Sequence, residues 1–245
     1  MSRVLVVTGG GRGLGAATCI AAAERGYEAI CVNYVGNKAR ADEVVAACEK
    51  AGAKAIAVQA DITKEADIMR LFETVDNELG TVTHLVNSAG IVGPYARVDE
   101  LPYDELAELW NLNITATLIC SREAIKRMST KHGGAGGAIV HLSSASSHLG
   151  GAGINVPYAA SKGAVDSLNW GMAQEVVAEG IRVNSVSPGL IDTEIQPEGR
   201  VENMGPQLPM KRAGQAHEVA NAILFLLSDE ASYVAGTKIL VSGAR

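Results

Sequence analysis

Residues 3–15 read Arg3-Val4-Leu5-Val6-Val7-Thr8-Gly9-Gly10-Gly11-Arg12-Gly13-Leu14-Gly15. A short apolar run without polar alternation is what a strand buried on both faces looks like. The glycine turn that follows opens a helical stretch over 16–25, closed by Gly26. Strand, glycine turn and helix together make an anion site. Small residues let the backbone approach a phosphate, and the first N–H groups of the helix, with its dipole, face the charge. No Gly-Lys-Ser/Thr follows, so this is not the loop that cradles a nucleoside triphosphate. A flexible linker would also be rich in glycine, but it would not sit between an apolar strand and a helix.

The same pattern continues along the chain. Strands are expected at 28–33, 54–59, 84–87, 138–142, 181–186 and 237–241, and helices at 38–51, 64–79, 111–131, from Pro157 onward, and at 215–228. Strands alternating with helices of this length predict an α/β fold, a parallel, doubly wound sheet with helices on both faces. The 245 residues fit one domain spanning 1–245, without repeats, low-complexity segments or an interdomain linker. The stretch 190–208 carries Ile191, Ile195 and Met204 among acids, glycine and proline, with no periodicity. A loop that long in a compact domain is usually functional, and a lid over a substrate is expected.

Composition excludes several classes. A net charge of −6 and the lack of a basic run argue against a nucleic-acid surface. No segment has the roughly 18 uninterrupted apolar residues of a membrane span. The N-terminus enters a strand without signal-peptide architecture, and the four cysteines are scattered, so a cytoplasmic protein with cysteines as small buried hydrophobes is expected. The five histidines show no metal-ligand spacing, and no metal site is expected.

A second signal lies at Ser143-Ser144 and Tyr158-Ala159-Ala160-Ser161-Lys162. Pro157 suits the first turn of a helix, which places Tyr158 and Lys162 at i and i+4 on one face. An ammonium about 4 Å from a phenol, at an effective dielectric near 20, is worth about 4 kcal/mol, or about three pKa units toward phenolate. A tyrosine tuned this way is a usable general acid/base. The serines follow an apolar strand, where a hydroxyl can meet a substrate oxygen.

Together the two motifs resemble those of the short-chain dehydrogenase/reductase family. The likeness runs from Thr8 to Val241-Ser242-Gly243 and includes Asp61, Asn87-Ser88-Ala89-Gly90, Asn113 and Pro188-Gly189. It is strongest toward members like 3-oxoacyl-ACP reductase and glucose 1-dehydrogenase, and it implies a Rossmann fold. Tyr158 would transfer the proton, Lys162 would lower its pKa and hold the nicotinamide ribose, and Ser144 (the second serine of the pair) would bond the carbonyl oxygen. Asn113 would anchor a water linking Lys162 to solvent. Gly9, Gly13 and Gly15, with Gly11, Arg12 and Leu14 in the same turn, would line the diphosphate. Asp61 and Ile62 would flank the adenine, and Asn87, Ala89 and Gly90 the ribose. Pro188, Gly189, Ile191 and Thr193 would hold the nicotinamide end.

The second strand ends Val32-Asn33-Tyr34, without the acid that bonds an NAD ribose, and Arg12, with Lys38 or Arg40, is available for a 2′-phosphate. NADP(H) is therefore expected over NAD(H), with Asn33 and Tyr34 beside the ribose. The implied activity is reversible reduction of a small-molecule ketone or aldehyde carbonyl to an alcohol. One alternative is a 3-oxoacyl-ACP reductase, for which Arg122, Lys126 and Arg127 would supply a basic docking surface. The other is a catalytically silent NADP-binding regulator, which would have no chemical need for Asn113, Ser144, Tyr158 and Lys162 together. Relatives also imply a homotetramer. His141 stands where relatives often carry Asn.

Overall fold

The computed structural model describes residues 2–245. In chain order its strands are β1 (Val4–Thr8), β2 (Ala29–Tyr34), β3 (Lys54–Gln59), β4 (His84–Asn87), β5 (Gly137–Leu142), β6 (Ile181–Pro188), β7 (Ile191–Asp192), β8 (Gly214–Gln215) and β9 (Lys238–Val241). All but β7 and β8 form one parallel seven-stranded sheet, ordered β3-β2-β1-β4-β5-β6-β9. The helices are α1 (Gly13–Glu24), α2 (Lys38–Lys50), α3 (Glu65–Glu78), α4 (Tyr103–Trp110), α5 (Ala116–Met128), α6 (Ser146–Leu149), α7 (Val156–Val176), α8 (Arg200–Met204) and α9 (Ala216–Leu227). This is the doubly wound Rossmann-type arrangement.

Period-2 geometry explains the apolar strands. Val7 of β1 faces α1, α2 and α9 together with Val32, Val140, Cys19 and Ile223. Its neighbour Val6 faces α3, α5 and α7 together with Leu85, Ile139, Phe72 and Cys120. A strand covered on both faces has no polar phase. All four cysteines are free and buried. No described helix is long and apolar enough to cross a membrane.

The strand order reverses between β1 and β4, and there Thr8 and Asn87 end side by side. Open α/β sheets bind ligands in the crevice at such a switch point. The Thr8 Oγ1 fixes its shape by accepting from the N–H groups of Ser88 (3.0 Å) and Ala89 (3.2 Å).

Two segments depart from expectation. The helix expected over 111–131 is α4 followed by a wide π-helical turn, Asn111–Thr115, and then α5, which stops at Met128. The loop expected over 190–208 is partly ordered, since β7 pairs with β8 and α8 lies within it. Two-residue strands and a five-residue helix carry too few residues to show a period.

Gly15 packs helix against strand so closely that a Cβ there would lie 2.3 Å from the Gly9 carbonyl oxygen. Gly15→Ala must push α1 away from its turn. It should cost about 1–3 kcal/mol, the usual penalty of overpacking, read as a lower thermal midpoint with weakened dinucleotide binding.

Candidate active site

The floor of the crevice is backbone. Gly9 (φ 63°) and Gly13 (φ 54°) adopt left-handed conformations that side chains disfavour. A Cβ on Gly9 would touch Ala89 at 3.0 Å, and one on Gly90 would lie 3.1 Å from Asn113 Oδ1 and 3.6 Å from Lys162 Nζ. Gly11 and Leu14 belong to the same turn. No side chain caps α1 at Arg12, so its first N–H groups are left for a ligand. Thr193, following β7, arches over the turn within 3.9 Å of a Cβ on Gly13. A floor of small residues beneath an uncapped helix fits the diphosphate of a dinucleotide.

Asn33 serves this floor from below. Its Oδ1 accepts from the Gly9 N–H (3.2 Å), and its Nδ2 donates to the carbonyls of Val58 (3.3 Å) and Ala60 (3.0 Å). The amide is buried and spent inside the fold. The Asn87 side chain turns inward in the same way. Its Nδ2 turns into the sheet's α5 side, toward Ser121 Oγ (3.0 Å) and His141 Nδ1 (3.1 Å). Tyr34 and Ile62 are buried as well. Asp61 stays partly exposed, accepting from Thr63 N–H (3.1 Å) and Oγ1 (2.6 Å) and pairing with Lys64 at 3.2 Å. The Thr63 hydroxyl leads in holding that carboxyl below its usual range.

Of the cations suited to a 2′-phosphate, Lys38 pairs with Asp42 at 2.7 Å, and Arg40 pairs with Glu43 (3.3 Å) and Glu194 (3.4 Å). Arg12 is exposed and makes no ion pair among the described residues. Across the crevice, the Ala145 N–H donates to the Pro188 carbonyl (2.9 Å) and the Gly189 N–H to Val241 (3.0 Å). Gly189 also packs so closely on Ser242 that a Cβ would lie 2.8 Å from it, while Ile191 is buried in the core.

The catalytic candidates converge where β5 meets α7. Ser144 Oγ accepts from the Ser146 N–H (3.1 Å) and lies near enough to the Tyr158 phenol to lower its pKa, whereas Ser143 Oγ donates to the Lys162 carbonyl (3.2 Å). The Asn113 amide brackets residue 91, its Oδ1 accepting from the Ile91 N–H (3.0 Å) and its Nδ2 donating to the Ile91 carbonyl (2.9 Å) and to Ser161 Oγ (3.0 Å). The π-turn presents Asn113 to that loop. Such turns often mark functional sites.

The Tyr158–Lys162 pair differs from expectation. Lys162 Nζ lies 5.7 Å from the centre of the Tyr158 ring and donates to the Leu142 carbonyl at 2.8 Å. Burial dominates Tyr158 and raises its pKa, against a smaller lowering by Ser144, with Tyr95 adding to the rise. Burial likewise pulls Lys162 down to about 8, which Asp166 opposes. Desolvation thus outweighs the ammonium's attraction for the phenolate, since the strand-end carbonyl has turned the amine aside.

A family model described as enoyl-(acyl carrier protein) reductase matches residues 9–243. An uncharacterized oxidoreductase of Escherichia coli K12, YgfF, is 45% identical over 99% of both chains. The 3-oxoacyl-[acyl-carrier-protein] reductase FabG of Staphylococcus aureus is 33% identical over 99% of this chain and 98% of its own. A short chain dehydrogenase of Burkholderia cenocepacia solved in complex with NADP superposes with a TM-score of 0.91 at 30% identity, over 99% of this chain and 97% of its own. This chain belongs to the short-chain dehydrogenase/reductase family. As a member of that family it is a pyridine-nucleotide oxidoreductase.

Thr8 and Ser161 are site residues that sequence reasoning did not assign. Thr8 stood in the motif without a role.

The Lys162 pKa has a consequence for stability. Its folded-state value lies below that of a free lysine, so folding penalises the ammonium form. The penalty is complete below about 8, fades as pH rises through the range above it, and is gone above about 10.4. Lys162→Met should therefore raise the melting temperature at neutral pH, by an amount that shrinks as the medium is made alkaline.

Proposed function

We propose that this dehydrogenase reduces a small ketone or aldehyde reversibly to the alcohol with NADP(H). The observation that carries this is the approach of two hydroxyls, Ser144 and Tyr158, at the end of β5, beside a buried lysine. Bound NADPH would supply the hydride. Ser144 and Tyr158 would both donate to the carbonyl oxygen, where charge develops in the transition state. Tyr158 would then pass its proton to that oxygen and recover one by way of Lys162. The raised pKa of Tyr158 keeps the phenol protonated at neutral pH, the form needed for reduction. The glycine floor and the free α1 terminus would hold the diphosphate, and Arg12 would meet the 2′-phosphate.

Apolar side chains support an uncharged substrate. Tyr95, Leu149, Ile154 and Ile195 are each about half exposed and would line the walls of the substrate pocket. His148 is exposed on α6, and Asn155 is buried against the Gly151 turn. The acyl-carrier alternative has weaker support. Arg122 pairs with Glu65 (2.7 Å), Arg127 with Asp76 (2.7 Å), and both share Glu123 with Lys126. Bases already compensated by acids make a poor landing site for an acidic carrier protein.

A panel of aldehydes, ketones, sugars and β-ketoacyl esters, followed by NADPH absorbance, tests the reaction; oxidation of NADPH with none of them, despite tight binding, would favour the silent regulator. Tyr158→Phe should keep NADPH affinity and lose at least about a hundredfold in turnover, as expected for a general acid. Reduction should be flat across neutral pH, and alcohol oxidation, which needs the phenolate, should climb as pH rises. Arg12→Ala should weaken NADPH binding and leave NADH nearly untouched, measured as Kd by cofactor fluorescence; equal losses for both would refute the 2′-phosphate contact.

A further inference from the structure

Two segments flank the glycine turn, and one ion pair joins them. Gly11 packs against the N-terminal part of α2, where a Cβ would lie 3.6 Å from Ala41. Gly13 packs against the segment after β7, where a Cβ would lie 3.9 Å from Thr193. The residues beside these two contacts, Arg40 and Glu194, meet at 3.4 Å although 154 positions separate them in the chain. Among the described residues no other ion pair ties α2 to that segment. The remaining pairs of α2, Lys38 with Asp42 (2.7 Å) and Arg40 with Glu43 (3.3 Å), close within the helix.

The two partners are anchored differently from their charges. The backbone of Arg40 is fixed, since its N–H donates to the side chain of Asn37, the residue that caps α2, at 3.1 Å. Its guanidinium is half-exposed, and so is the Glu194 carboxylate. Exposed pairs of this kind are weak, because water competes for both charges and two long side chains must be held in one geometry. A stronger anion arriving at the mouth of the crevice therefore displaces the carboxylate. A 2′-phosphate is such an anion. A phosphate monoester carries a charge of about −1.5 to −2 at neutral pH and three acceptor oxygens, which the fork of an arginine meets in bidentate fashion. Arg12, exposed on the glycine turn itself, is the second cation available there.

We propose that Glu194 is a specificity-determining residue, which competes with the 2′-phosphate of NADPH for Arg40. This rests on the NADP(H) reading given above. When NADPH enters, Arg40 leaves Glu194 for the phosphate, and the released carboxylate stays nearby as a like charge. Both the lost pair and the new repulsion weaken NADPH. NADH brings no 2′-phosphate, so the pair stays closed and its binding is unaffected. Glu43 remains with Arg40 on its own helix in either case. Glu194 thus narrows a preference that Arg12 and Arg40 create.

Glu194→Gln keeps the size of the side chain and removes its charge. It should tighten NADPH about threefold, the scale of an exposed pair, and leave NADH unchanged, both read as Kd by cofactor fluorescence. Arg40→Gln should weaken NADPH and spare NADH. In that background Glu194→Gln should gain less, because part of its effect runs through the guanidinium. Salt at about 1 M, which shortens screening to about 3 Å, should erase the gain. If the pair instead clasped the diphosphate, Glu194→Gln would loosen both cofactors, and that result would overturn the proposal. Unchanged NADPH binding in Glu194→Gln, or a gain undiminished in Arg40→Gln, would overturn it as well. Arg12→Ala separates the two levels. Equal losses of NADPH and NADH there remove the NADP(H) reading and this competition with it, whereas a selective loss there beside a neutral Glu194→Gln removes only the competition.

Discussion

The hydrogen bond from Lys162 Nζ to the Leu142 carbonyl, 2.8 Å long, fixes the relation between the last turn of a strand and the first turns of a helix. It costs something to maintain. An ammonium withdrawn from water loses hydration that one carbonyl cannot replace, and the lysine responds by becoming more acidic. The same burial makes the tyrosine less acidic. The two groups have therefore been driven apart from nearly equal free values: the ammonium gives up its proton more easily and the phenol less, so transfer from Lys162 to a Tyr158 phenolate runs downhill. Burial achieves it without requiring the two polar atoms to touch.

The other side of the crevice is organised by backbone rather than by charge. Gly9, Gly13 and Gly15 keep side chains out, and two buried residues hold the vacated geometry from behind. Asn33 ties the glycine turn to β2 and β3, while Thr8 ties β1 to the turn after β4. A recognition surface made of N–H groups needs this support, because glycine gives up conformational freedom on folding. Polar side chains at the ends of these strands are thus structural on their inner side, and the ligand meets mainly the main chain they position.

These two halves differ in how far the sequence revealed them. Strand order, the glycine turn and the start of α7 follow from apolar runs, a glycine cluster and Pro157, which act locally and over many residues. The split between α4 and α5 did not show, because a π-turn adds one residue to a helix without disturbing its composition. The short elements of the 190–208 segment were equally silent. Side-chain direction was the weakest point. Asn33 and Asn87 stand where residues beside a ligand would stand, yet both turn into the sheet, and nothing in a linear motif records which hydrogen bonds the interior will claim. The Tyr158–Lys162 spacing correctly put both residues on one helical face. It could not reveal that a carbonyl from another element would capture the amine, or that burial would outweigh the pairwise attraction.

His141 joins the two halves. On sequence it was only a departure from a strand position that relatives often fill with Asn, with no consequence attached. In the fold it stands between Asn87, which belongs to the cradle's strand, and Ser185, beneath the helix that carries Lys162. The imidazole is long enough to bond on one side and present a second polar atom on the other, still buried and still unpaired. A fold keeps such an atom in its interior at a cost that apolar packing would avoid.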